Sequence, residues 1–165
     1  MPGKEIQRRR RKVRGSETLE FGLVLIPMLG FVFLIIDLGW VVFAKSTLQH
    51  AVREGVRFGV TNNLASGYSG MRDSIKSVVR YNSMGLLEGS AGWNSILVQY
   101  KEPVGFTDIT GTAGCNNSPN LLEVTVDNFS VVPLLPLLRD ATPMVLRAIS
   151  SDRMEACVPT GCPPI

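Results

Sequence analysis

The residues best placed to do chemistry in this 165-residue chain are a glycine and a carboxylate five positions apart, Gly15 and Glu20. They stand at the head of an apolar run. Glu20 is the one charge between Leu19 and Ile36. A carboxylate at the end of an apolar helix costs several kcal/mol unless it is paired or held at an interface. Part of that cost is met locally, because Glu17 and Glu20 complement the positive end of a helix dipole. Asp37, the next acid, closes the run at its far end. There it is expected to lie at an interface and to need no partner.

Other chemistry is hard to assemble. His50, the single histidine, falls on the polar side of a helix, so no Ser/His/Asp set forms around it. Asp127, Asp140 and Asp152 are spaced as surface residues of strands and loops. Gly111-Thr112-Ala113-Gly114 lacks the lysine of a phosphate-binding loop. The three cysteines, Cys115, Cys157 and Cys162, contain no CxxC pair and have no histidine nearby, which argues against zinc. They predict one disulfide and one spare thiol, with the pairing open, although Cys157 and Cys162 would close a short loop. No cofactor, no metal and no enzymatic activity are expected.

The elements that must position these residues follow from charge and hydropathy. Residues 1–14 hold seven of the 17 basic residues and one of the 14 acids, leaving ten basic against 13 acidic residues in the rest. The run Arg8–Lys12 alone could suggest nucleic acid. The 18 residues Leu19–Ile36 directly behind it change that reading, since about 27 Å of helix matches the hydrocarbon thickness of a bilayer. Basic residues before such a segment place the N-terminus in the cytoplasm and the body outside. Nucleic acid is therefore not an expected partner. Residues 1–15 read as a polar, basic, disordered leader, and 16–60 as one long helix that Pro27 should kink.

Beyond the apolar run the helix is amphipathic. Ala44, Leu48, Ala51, Val52, Gly55 and Gly59 share one stripe, with Lys45, Gln49, Arg53, Glu54 and Arg57 opposite. Ala51, Gly55 and Gly59 repeat every four residues, which predicts the close approach of another backbone; alternatively, Gly59 merely ends the helix near Asn62. Glycine-rich turns flank a short helix around Met71–Ser83. Alternation then predicts strands at 96–101, 122–127 and 145–154, in an antiparallel sheet because no crossover helix separates them. The segment Val131–Leu138 is too proline-broken for a central strand and reads as a loop packed on the sheet, with the membrane surface or a neighbour as alternatives.

Arg14-Gly15-Ser16-Glu17-Thr18-Leu19-Glu20-Phe21 resembles a type IV prepilin processing site. That resemblance implies cleavage by a membrane prepilin peptidase after Gly15, making Ser16 the first mature residue and Glu20 the fifth. The new α-amine would lie about one turn from Glu20, which could pair with the amine of a neighbouring subunit and set helix register. Phe21 keeps the ring, but not the tyrosine common in Flp major pilins. Ile26-Pro27, Asp37 and the block Gln49-His50-Ala51-Val52-Arg53-Glu54-Gly55-Val56-Arg57 sharpen the likeness to TadE-like minor pilins of the tight-adherence (Flp, type IVb) pilus. Glu123-Val124-Thr125-Val126, Pro133–Pro136 and Met154-Glu155 fit more loosely.

The resemblance implies an α+β, type IV pilin-like fold: a long N-terminal helix, transmembrane in its first half and amphipathic in its second, packed on a small antiparallel sheet. Its zones would be a cytoplasmic leader (1–15), a transmembrane helix (16–44) and an extracytoplasmic domain (45–165). The expected role is a minor pilin or pseudopilin for adhesive pilus assembly. Its expected partners are the bacterial inner membrane, prepilin peptidase, other pilin subunits and the Tad assembly platform. Filament incorporation, and TadE against the related TadF type, stay open. The rivals are a signal peptide cut at Val42-Phe43-Ala44 or a signal anchor, either giving a periplasmic protein, and a bitopic receptor. The apolar run exceeds the 7–15 residues of a signal peptide core.

Overall fold

A computed structural model describes residues 3–132, 143–157 and 163–165, with side chains from Glu17 onward. The order of elements is α1 (Gly3–Val60), α2 (Met71–Asn82), α3 (Gly89–Ser95), β1 (Ile96–Lys101), β2 (Leu121–Val131) and β3 (Met144–Arg153). This is the α+β arrangement expected. The helix differs at its start: α1 begins at Gly3, so the basic segment is helical rather than disordered. Lysine and arginine are good helix formers, and extending an existing helix avoids the cost of nucleation. Helix α1 also runs unbroken through Pro27. The segment Pro133–Leu138, expected to pack on the sheet, lies outside the described residues.

The chain divides into two compact units, with the boundary in α1 at Trp40/Val41. The inner unit is helical, from Gly3 to Trp40. Its best 18-residue window has a mean hydropathy of 2.5, and none of that window is buried. Length and composition make α1 able to cross a membrane.

The outer unit comprises Val41–Val132 and Pro143–Ile165. Its sheet has the order β1-β2-β3, antiparallel throughout, with Val98 opposite Val124 and Val124 opposite Ser150. Ile96, Val98 and Tyr100 of β1 and Leu122, Val124 and Val126 of β2 are buried on one face, which period-2 alternation requires. Past Val126 the phase changes. Val126 pairs with Ala148 but Phe129 with Leu146, so β2 carries one extra residue. Asn128 absorbs the bulge in the left-handed region, at φ 58°, which asparagine tolerates better than most residues. The bulge returns Val131 to the buried face.

Against that face lie the outer turns of α1 and helix α2. Leu48, Ala51, Val52 and Val56 of α1 meet Met71, Ile75 and Val79 of α2 in one core with the strands. Helix α3 was not expected from the sequence; two glycines in seven residues and no buried side chain leave it without an apolar period. The tail is stitched to the rest by backbone bonds. Met154 N–H donates to Asn120 O, Glu155 N–H to Val60 O, and Met71 N–H to Pro164 O.

Tyr100 is the largest fully buried side chain of this core, and its hydroxyl has no hydrogen-bond partner among the described residues. Burial pushes its phenol well above the ordinary range, the Cys115 thiol adds to this, and Arg72 opposes it. The raised value means that the neutral phenol is the folded form. Its contribution is complete below pH 10 and is lost as pH climbs toward the folded pKa. An unsatisfied buried hydroxyl costs about 1–3 kcal/mol. Tyr100→Phe is expected to raise stability by about 1 kcal/mol at neutral pH, with a larger gain at pH 11, in chemical denaturation of the detergent-solubilised protein. Destabilisation at both pH values would mean that the hydroxyl is satisfied.

Candidate functional site

Gly15 and Ser16 sit in the helical backbone of α1, and the lip that follows them is open. Glu17, Thr18, Leu19 and Glu20 are all exposed, and Phe21 is 66% exposed. Thr18 and Glu20 each have an interaction partner within the chain. From Leu19 to Phe43 nearly every large apolar side chain is bare to solvent. Thirteen residues of Leu, Ile, Phe and Val between Leu19 and Ile36 together favour insertion into a bilayer by roughly 4–8 kcal/mol. That outweighs the few kcal/mol a carboxylate costs at the end of the span.

Asp37 departs from expectation. It is 8% exposed on a helix whose neighbours are bare, and it has a partner. A buried carboxylate without compensation is too costly, so an engaged state is what burial demands. Spacing alone hid this, because the sequence places Asp37 at the end of the run with nothing nearby to bury it.

The packing stripe was legible. Ala44, Leu48, Ala51, Val52, Gly55 and Gly59 are all buried, whereas Lys45, Arg53 and Arg57 are exposed. The approach at the glycines comes from side chains, not from a backbone. A Cβ at Gly55 would collide with Val79, and one at Gly59 with Leu122 and Ile75. The glycines thus admit the branched side chains of α2 and β2, and α1 ends just beyond them at Val60. Phe21 and Glu20, by contrast, do not meet this packing face; they lie in the inner unit.

Of the cysteines, Cys157 is disulfide-bonded and Cys115 is free and buried, the split of one bridge and one thiol expected. Cys162 and Asp140 lie outside the described residues. His50 is exposed, on the polar side of α1. The Asp108 carboxyl is held below its usual range. Thr110 does this through its hydroxyl and through its backbone N–H, which donates to Oδ1 at 2.9 Å; Gln99 donates to Oδ2 at 3.1 Å. This is a turn-stabilising arrangement at the surface. It brings no nucleophile, base or metal ligand set together, and no three acidic, histidine or cysteine residues cluster among the described residues.

The inner unit thus offers a bare apolar helix able to cross a membrane, and the outer unit is a packed head. Residues 15–57 match a protein-family model described as TadE-like protein. The match opens at Gly15, takes in Glu20 and Asp37, and closes at Arg57 on the packing helix. The likeness read from the sequence is therefore found independently over this segment. Neither the search of curated proteins nor that of solved structures returned a match.

The packing half of the matched helix supplies a test. Gly59→Val would gain a few tenths of a kcal/mol in helix propensity but overpack Leu122 and Ile75, at a cost of about 1–3 kcal/mol. The midpoint of denaturation followed by circular dichroism is expected to fall. An unchanged midpoint would mean that the head does not hold α1 as described.

Proposed function

We propose, on the premise of a TadE-like N-terminal segment, that this chain is a minor pilin or pseudopilin required for assembly of a Flp-type pilus. Its work is structural, not catalytic. It is inserted in the inner membrane with its basic end cytoplasmic and its head outside, and prepilin peptidase cleaves it after Gly15. The observation that carries this reading is the start of the family match at Gly15, between the basic segment and the bare apolar helix. A protease needs an extended peptide, and Gly15 lowers the cost of unwinding the helix there by about 1 kcal/mol relative to alanine.

After cleavage the α-amine of Ser16 and the carboxylate of Glu20 lie about one helical turn apart. Both stand at the lip of an apolar rod, where an ion pair with a neighbouring subunit offsets the desolvation of each. Such a pair acts mainly on axial register, because helices sliding past one another would leave both charges unpaired. Leu19, Phe21, Leu23 and Ile26 provide the lateral contact surface. The Tad assembly platform and other pilin subunits are the partners that would receive it.

Gly15→Leu is expected to leave the full-length precursor in membranes, read by mass spectrometry of the N-terminus; normal trimming in that variant would refute the processing site. Glu20→Ala should be trimmed like wild type, with N-terminal Ser16, yet yield fewer sheared pili. Wild-type pilus levels in that strain would remove Glu20 from the assembly mechanism while leaving the processing site intact.

A further inference from the structure

A turn at one end of the outer unit holds two apolar side chains out in water. Val104 and Phe106 flank Gly105 in the turn that follows β1, and they are 83% and 66% exposed. Gly105 and Phe106 both take left-handed backbone angles, φ 86° and 53°, where a phenylalanine is rare. The base of the turn is tied down. Glu102 N–H donates to Thr107 O at 3.0 Å, Ile109 N–H to Tyr100 O at 2.8 Å, and Tyr100 N–H to the Thr110 hydroxyl at 2.8 Å. A strained residue persists only where its surroundings fix it, and such residues gather where proteins bind. The turn is also acidic. Glu102 and Asp108 are the only charges between Lys101 and Thr110, both are exposed, and Glu102 has no ion-pair partner among the described residues.

The complement of this turn lies on α1. A groove of about 460 Å³ is lined by Val42, Lys45, Ser46, Gln49, His50 and Arg53, all within the outer unit. A benzene-sized ring needs about 150 Å³, so the groove has room for a phenylalanine side chain. No acid is among its described lining residues, and neither Lys45 nor Arg53 has an ion-pair partner among the described residues. The stems of these two side chains and Val42 give apolar walls, while their charged heads suit the face of an aromatic ring.

Within one chain the turn and the groove are apart. Gln49 Nε2 donates to Ile149 O at 2.8 Å and Glu155 N–H to Val60 O at 3.2 Å, so β3 and the last turns of α1 run in the same direction. Arg153 pairs with Leu121 and Leu121 with Lys101, which puts the turn after Lys101 at the Val60 end. The groove residues stand seven to 18 positions before Val60, about 10–27 Å back along the helix.

We infer that the turn of one copy seats in the groove of another. The Phe106 ring lies against Val42 and the stems of Lys45 and Arg53, and the Glu102 carboxylate faces those two cations. The partner is a second copy because this chain carries both halves of the fit, an acidic apolar knob and a basic groove. The ring anchors the contact and the charges orient it. Knob and groove are different surfaces, so the contact is heterologous and adds copies in an open series instead of closing a pair. It belongs to the folded head and goes beyond the proposed pilin role, needing neither cleavage at Gly15 nor a membrane.

The test cross-links full-length chains in membranes of cells that express two differently tagged copies. Both copies carry Cys115→Ala, which removes the buried free thiol. Thr107→Cys in one copy and Ser46→Cys in the other should be joined by a short bis-maleimide, whereas copies that share the same substitution should not. With both substitutions in one chain, a ladder beyond the dimer is expected. Phe106→Ala should lower the mixed product about tenfold. Glu102→Lys in the Thr107→Cys copy should lower it about fivefold, and Lys45→Glu with Arg53→Glu in the other copy should restore it. Like copies joined as strongly as unlike ones, a ladder that stops at the dimer, or a yield indifferent to Phe106→Ala or to the charge exchange overturns the contact. N-terminal Ser16 and sheared pili, read from the same cells, report on the proposed function separately. Trimmed protein and pili without the mixed product sink this contact alone; the mixed product from untrimmed protein sinks the processing site alone.

Discussion

One helix here meets two surroundings, and that change governs the rest of the molecule. From Leu19 to Phe43 nearly every large apolar side chain is bare; from Ala44 to Val60 the apolar side chains form a buried stripe. The first pattern is stable only where water is excluded from outside, and the second only where a folded head excludes it. Glycines at 55 and 59 make the second surrounding possible by letting Val79, Ile75 and Leu122 close against the helix. The tail then fastens at Val60 and Met71, so the head is closed around the outer end of the helix.

Much of this was legible because it rests on simple periods. The stripe on α1 repeats at 3.6 residues and the strands at two, and both patterns reappear as buried faces. What could not be read has equally physical causes. Helix α3 contains Gly89 and Gly92 and buries no side chain, so no hydrophobic period marks it. The helical start at Gly3 was obscured by charge: a segment dominated by arginine and lysine, with only Ile6 and Val13 between its charges, reads as disordered, although arginine and lysine themselves favour a helix.

The candidate site divides in the same way. Gly15, Glu20 and the basic segment were visible because a charge beside an apolar run is conspicuous in any sequence. Asp37 is equally conspicuous, yet its burial depends on contacts that no local pattern encodes. The glycine pair was correctly singled out as a place of close approach. The partner was misjudged, because spacing tells that room exists on a helix and not what fills it.

The extra residue in β2 has a consequence for how the head tolerates change. Before Val126 the even-numbered positions of this strand look inward; after Asn128 the odd-numbered ones do, with Val131 buried and Ser130 exposed. The strand therefore obeys a parity rule with one switch in it. Losing the extra residue would erase the switch and still leave Phe129 and Val131 on the inner face, whereas straightening the strand with every residue kept would turn Ser130 to the oil and Val131 to the water.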